Sequence, residues 1–229
     1  TYQTVYAQHD GSLAAPTAGL HFTDRVIRSL EEKSIRHANV TLHVGAGTFK
    51  PVSEADLRRH VMHTEQIHLR REDLNQLMEA ATSVVAVGTT SLRTLESFYW
   101  MGVKILSGTD VSMPFALNQW DCYEAGWPQD IPASAAWRAL RDYMEQHNRD
   151  EVSGETRLFI LPGYKVRTAD ILITNFHQPR STLLLLVSAF TGNDWRKAYD
   201  HALATDYRFL SYGDACLFKH FKNAYVGYA

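Results

Sequence analysis

Cysteine is nearly absent from this chain, positive charge is not in excess, and no apolar stretch is long; each shortage removes a class of function. The two cysteines in 229 residues, Cys122 and Cys216, lie too far apart for a CxxC redox or zinc motif, which fits a reduced, cytosolic protein. The longest apolar run, Leu183 to Val187 extended by Ser188, Ala189 and Phe190, falls well short of the ~20 residues a membrane helix needs, so a buried helix is expected there and no membrane partner. No basic start followed by an apolar segment and a small-residue cleavage site is visible. The opening residues, TYQTVYAQ, carry no start methionine and read like the middle of a chain, so a fragment of a longer protein is expected. Lys and Arg number 23 against 25 Asp and Glu, a formal charge of -2, so no overall basic field advertises a nucleic-acid partner. Such a partner would need local patches: Arg58 with Arg59, Arg70 with Arg71, or the tail of Lys219, His220 and Lys222.

What is present is apolar patterning for a substantial core, with 45% hydrophobic and 21% charged residues. Thr23 is a helix N-cap, followed by Asp24 and by Val26, Ile27 and Leu30 on one face. Residues 38 to 44 alternate as a strand, with His43 opposite the apolar side, until Gly45 and Gly47 break it. Ser53 and Asp56 start a short helix through Met62, and Leu74, Leu77, Met78 and Ala81 mark another. Short, β-branched, nearly all-apolar strands alternate with helices, which predicts a single α/β domain over residues 1–229. Its sheet is expected to be mainly parallel or mixed, flanked by helices on both faces in three layers, with a barrel-like closure open as a variant. Residues 103–155 are looser, rich in Pro and Trp with one helix from Ser134 to His147, and look inserted. The sheet pattern resumes with RLFILPGY and ADILITNF, then a helix near 194 to 204.

Two stretches repeat one arrangement, an apolar strand running into hydroxyl residues that open a helix: SVVAVGTTSLRTLESFYW (83–100) and ADILITNFHQPRSTLLLLVSAF (169–190). The first amides of a helix lack intrahelical partners and carry the positive end of its dipole, so polar or anionic ligand groups can be held there. Thr89, Thr90, Ser91 and Arg93 occupy one junction, and Asn175, His177, Ser181 and Thr182 the other. Thr90 or Ser91, and Ser181 or Thr182, also serve equally well as plain N-caps. Both junctions follow the carboxyl ends of strands, where open α/β sheets place ligands. APTAGLHFT and LHVGAGTF add a third and fourth such loop, and YRFLSYGDA mixes Tyr207, Arg208, Tyr212 and Asp214 around Gly213 as a substrate contact or a docked turn. Pro179 biases Gln178 away from helix and holds the loop after His177 open.

His60, His63, Glu65 and His68 offer zinc-type ligands on paper, the basis of an alternative reading as a metal-dependent hydrolase. Their H-x2-H-x-E-x2-H spacing is not the HExxH signature and crosses from helix to strand, so no metal is expected there, and one or two of them are read as proton carriers or substrate hydrogen-bonders.

Several blocks in one order resemble the S-adenosylmethionine:tRNA ribosyltransferase-isomerase family of queuosine biosynthesis: YQTVYA (2–7), AAPTAGLHFT (14–23), VTLHVGAGTFKPV (40–52), HVMHTE (60–65), VAVGTTSLRTLES (85–97), PGY (162–164), LITNFHQPRSTLLLLVSAF (172–190) and YRFLSYGDA (207–215). Three departures accompany the resemblance. Gln178 stands where the family has leucine in NFHLP, residues 103–155 are longer than usual and largely unlike the family, and the family's N-terminal stretch and inserted small β-barrel have no counterpart. The resemblance implies a cytoplasmic catalytic α/β domain with S-adenosylmethionine as co-substrate, no cofactor, and tRNA as partner. The implied reaction transfers the ribosyl group to 7-aminomethyl-7-deazaguanine in the anticodon, giving epoxyqueuosine, adenine and methionine. It suggests His43, His63 or Glu65, and His177 for proton transfer. Thr17, His21, Thr89, Thr90, Ser91, Arg93, Asn175, Ser181, Thr182, Tyr212 and Asp214 would contact substrate. A non-catalytic domain that binds S-adenosylmethionine or RNA is a further alternative. Residues 14–23, 42–49, 88–93 and 174–182 are expected to line one cleft.

Overall fold

The computed structural model describes residues 4–5, 16–43, 57–80, 83–108, 111–124 and 126–220. A four-stranded sheet runs in the order β1 (Thr41–His43), β2 (Glu65–Arg70), β5 (Glu151–Thr156), β4 (Phe115–Leu117). Its β1–β2 and β2–β5 pairs are antiparallel and its β4–β5 pair parallel. A separate three-stranded sheet runs β3 (Val85–Val87), β6 (Ile171–Asn175), β7 (Ala215–Lys219), parallel and then antiparallel. The sheets are therefore mixed, and of the two arrangements open from sequence the mainly parallel one gives way. The remaining helices are α1 (Asp24–Glu32), α2 (Arg71–Met78), α3 (Thr89–Leu106), α4 (Ala133–Gln146), α5 (Thr182–Thr191) and α6 (Asp194–Ala204).

Helix α3 organises the core, because it is apolar nearly all round and packs against strands of both sheets and against α4 and α5. Leu92, Leu95, Phe98, Tyr99, Trp100, Met101 and Val103 are all buried, each side chain contributing about 1.5–3 kcal/mol of transfer free energy. Where α3 crosses α4, a Cβ on Gly102 would sit 2.2 Å from the Ala136 carbonyl oxygen, so only glycine permits the approach. The Thr94 and Ser97 hydroxyls of α3 donate to the Thr90 and Arg93 carbonyls at 2.9 and 2.7 Å. The Glu96 carboxylate accepts from the Arg167 and Thr168 N–H groups (2.9 and 2.8 Å), from Thr168 Oγ1 (2.6 Å) and from Tyr164 Oη (2.7 Å). Tyr164 in turn accepts from Trp100 Nε1 at 2.8 Å. The PGY block is thus a tether of the segment before β6 to the central helix.

Residues 103–155 prove integral to the body. They supply β4 and β5 to the larger sheet, and α4 to the packing against α3 and α2. One strand falls elsewhere than its apolar pattern suggested. The run RLFILPGY buries Leu158, Phe159 and Ile160 without forming a strand, while the polar EVSGET just before it is β5, with Val152, Gly154 and Thr156 inward. Gly154 is needed because a Cβ would meet the Phe115 carbonyl oxygen of β4 at 2.7 Å.

Candidate active site at the strand ends

Four of the chain's sequence blocks meet at the carboxyl end of β6. Strand β3 ends at Val87, and Gly88 turns the chain into α3 with φ of 97°, a conformation that glycine adopts without strain. Its N–H donates to the Ile173 carbonyl of β6 at 2.7 Å, which fixes the start of α3 beside the end of β6. The Gly88 backbone also lies close to Ala18, in the 3-10 helix Thr17–His21. Asn175, the last residue of β6 and 2% exposed, binds that helix and a third segment. Its Oδ1 accepts from Thr17 Oγ1 at 2.9 Å, and its Nδ2 donates to His21 Nε2 at 3.3 Å and to the Gly213 and Asp214 carbonyls at 3.4 and 3.5 Å. Thr17, His21, Asn175 and Asp214 are accordingly brought together, with the first turn of α3 next to them.

The hydroxyls of the α3 junction are used differently from the expectation. Gly88, not Thr90 or Ser91, is the N-cap, and Ser91 Oγ turns back to donate to the Val87 carbonyl at 2.8 Å. Thr89 is buried and Thr90 half-buried in the first turn, where the amides of residues 89 to 91 precede the first helical bond, Leu92 to Gly88. At the other junction the plain capping role holds: Ser181 Oγ accepts from the Leu184 N–H at 3.1 Å, and Thr182 is the first residue of α5. Tyr212 is 75% exposed at the tip of its turn. Asp214 accepts from the Arg208 N–H at 2.8 Å and from its guanidinium, and these bonds hold its carboxyl below the usual range, with His21 a smaller contribution. A Cβ on Gly213 would lie 2.3 Å from the Arg208 carbonyl oxygen, so this tight turn requires glycine.

Successive strand residues face opposite sides, so Thr174 points away from Asn175. There it meets His177, with Thr174 Oγ1 2.8 Å from Nε2, while the His177 N–H donates to Tyr199 Oη at 2.7 Å. Burial pushes the His177 imidazole down to about 4, so it is neutral at pH 7. Thr174 was not singled out from sequence, although its place three residues before His177 was the available signal.

The remaining candidates belong to the larger sheet. Arg93 leaves α3 to pair with Glu65 at the start of β2, both nearly wholly buried. Burial lowers the guanidinium to about 10, which leaves it charged at neutral pH. Glu65 is thus the counter-ion of Arg93 within the core. His43 sits on β1 opposite Gln66, its ring edge-on to that of His68 at 5.6 Å, and His68 Nδ1 lies 3.1 Å from Glu151 Oε1. His63 is exposed just before β2, and His60 packs on Phe159 at 5.4 Å. The four members of the paper metal set therefore turn to separate neighbours, and among the described residues no group of three or more His, Cys, Asp or Glu side chains comes together around a metal position. Of the basic pairs, Arg70 is engaged by Glu72 and Asp73 and Arg71 by Asp150. Residues 14–15, 44–49 and Lys222 lie outside the described residues. Of the segments expected to line one cleft, 17–21, 88–91 and Asn175 meet at the end of β6, whereas Leu42 and His43 sit on β1 of the larger sheet, Arg93 faces Glu65, and Thr174 with His177 turns to the other side of β6. Among the described residues no helix is long and apolar enough to cross a membrane.

A family model described as queuosine biosynthesis protein matches residues 1–123 and 131–218, which leaves 124–130 as the unmatched part of the loose central stretch. The S-adenosylmethionine:tRNA ribosyltransferase-isomerase of Caulobacter vibrioides is 44% identical over 221 residues, 94% of this chain and 48% of that protein. The protein of the same name from Polynucleobacter asymbioticus is 41% identical over 226 residues, 97% of this chain and 51% of its own length. The crystal structure of S-adenosylmethionine tRNA ribosyltransferase from Thermotoga maritima matches with a TM-score of 0.54 at 33% identity, covering 88% of this chain and 51% of that one. The chain spans about half the length of the curated relatives it matches. It belongs to the queuosine biosynthesis protein family.

Proposed function

We propose that this chain forms the catalytic α/β part of an S-adenosylmethionine:tRNA ribosyltransferase-isomerase. It would move the ribosyl group of S-adenosylmethionine onto 7-aminomethyl-7-deazaguanine in the anticodon of a cytoplasmic tRNA, giving epoxyqueuosine, adenine and methionine. The observation that carries the reading is the convergence of the 17–21, 88–91, 175 and 213–214 segments, each from a different family block, on one strand end. The site's chemistry suits the task. A sulfonium acidifies the adjoining ribose 5′ carbon, and a positioned base removes that proton to begin adenine expulsion. Closure of the epoxide then displaces methionine. The candidates for proton acceptor are His177, which turns with Thr174 to the side of β6 away from Asn175, His43 on β1 and the exposed His63. Glu65 is set aside for that role because it neutralises Arg93. The free amides of Thr89, Thr90 and Ser91 supply fixed donors for an acceptor group of the co-substrate. S-adenosylmethionine is a co-substrate consumed in each turnover, and no resident cofactor or metal enters the scheme.

Calorimetry with S-adenosylmethionine, run beside an assay for adenine release with precursor-bearing tRNA, tests the proposal. Binding with turnover supports it. Binding without turnover under conditions where the Caulobacter vibrioides relative releases adenine identifies a non-catalytic domain and overturns it.

A further inference from the structure

Among the site's imidazoles, His21 is the one whose hydrogen bonding is dictated by a neighbour that cannot change its role. Asn175 is buried, and its amide has two distinguishable ends. The Nδ2 end faces the Gly213 and Asp214 carbonyls, which can only accept, so the NH2 group must point that way. The Oδ1 end takes the Thr17 hydroxyl. With the amide fixed, the 3.3 Å contact to His21 Nε2 has a single polarity: Asn175 donates and His21 accepts. A neutral imidazole accepting at Nε2 carries its proton on Nδ1, and His21 is exposed.

We infer that Asn175 is a positioning residue that locks His21 in the neutral Nδ1–H tautomer, presenting Nδ1–H as a fixed hydrogen-bond donor to an acceptor group of the bound co-substrate. With Nε2 taken as the acceptor of the Asn175 amide, the donor the ring can offer is Nδ1–H. Asp214 is the charged group beside it, and that carboxylate is already engaged by the Arg208 N–H and guanidinium. The block APTAGLHFT then has a reason for its composition: Thr17 orients the asparagine that orients His21, four residues on.

The ligand part of this inference rests on the functional reading above, whereas the tautomer does not, and the experiment separates them. Histidine 15N NMR on the 229-residue chain at neutral pH should show His21 as the Nδ1–H tautomer, and Asn175→Ala should shift it toward the Nε2–H form. An Nε2–H tautomer or an imidazolium in the unsubstituted chain overturns the inference. Because Asn175 is buried, the exposed His21 provides variants that keep the fold. In His21→Asn the side-chain amide nitrogen stands where Nδ1 was, and in His21→Gln it stands where Nε2 was. His21→Gln should weaken S-adenosylmethionine binding about tenfold, the loss of one hydrogen bond, while His21→Asn loses clearly less. Equal losses in the two variants contradict the assigned donor. Absence of any S-adenosylmethionine binding by the unsubstituted chain would defeat the functional reading, and the NMR result would still decide the tautomer.

Discussion

Replacing Arg93 with methionine isolates the energetics of the pair that joins α3 to β2. The substitution keeps the length and apolar stem of the side chain and removes the guanidinium, leaving the Glu65 carboxylate, 2% exposed, without its counter-charge. Removing one partner of a buried ion pair costs about 3–5 kcal/mol, because the surviving charge has lost its water and gained nothing. That is a large share of the ~5–15 kcal/mol that stabilises a domain, and in a chain of this size it lowers the melting temperature by roughly 10 °C. Removing both charges is different: Arg93→Met with Glu65→Leu leaves an apolar contact, and such replacements are often neutral or stabilising, so the double variant should recover most of the loss. The assay is urea unfolding of the four proteins of the cycle. A single variant that loses less than about 1 kcal/mol, the value of an exposed pair, or a double variant no better than the sum of the singles, would refute the assignment of a buried coupled pair.

Gly102→Ala should destabilise by more than about 2 kcal/mol, since its Cβ meets backbone of α4 at 2.2 Å, and a melting temperature within error of the parent would show that the helices yield. His177 titrates at about 4 when folded against 6.5 when unfolded, so the unfolded chain takes up the proton first; stability is full above pH 6.5 and falls as the pH drops toward 4. Allowing for solvent screening of the half-buried ring, the loss is about 2 kcal/mol, and His177→Gln should flatten that part of the stability–pH curve. Glu96→Ala leaves the Arg167 and Thr168 N–H groups unpartnered and should cost about 3 kcal/mol with a change in Trp100 fluorescence; an unchanged spectrum would argue against the tether.

How much of this could be read from residues alone depended on whether local chemistry or long-range pairing decided the matter. Helix α1 was legible because Thr23 caps it directly, accepting from the Val26 N–H, and α4 and α6 because their apolar spacing is helical. Strand β5 was illegible: its inward positions include Gly154 and Thr156, chosen for a close approach by β4 and for a hydrogen bond to Ser97, so the strand carries little apolar signal. The same logic applies at the site. That the 17–21 and 174–177 segments carry polar chemistry was visible from their composition and their place near strand ends. That Glu65 answers Arg93, that Ser91 turns back on Val87, and that Asn175 joins three distant blocks depends on how the two sheets pack around α3, which no local pattern encodes.

Isotopic labelling distinguishes transfer of the ribosyl group of S-adenosylmethionine from transfer of its methyl group. The chain would be incubated with tRNA bearing 7-aminomethyl-7-deazaguanine and with S-adenosylmethionine carrying 13C in either its ribose or its methyl group, and the digested tRNA weighed by mass spectrometry. Ribosyl transfer gives ribose label in the modified base, none from the methyl group, and adenine released in equal amount. Methyl label in the tRNA, or no label while the Caulobacter vibrioides relative transfers it in parallel, would contradict it.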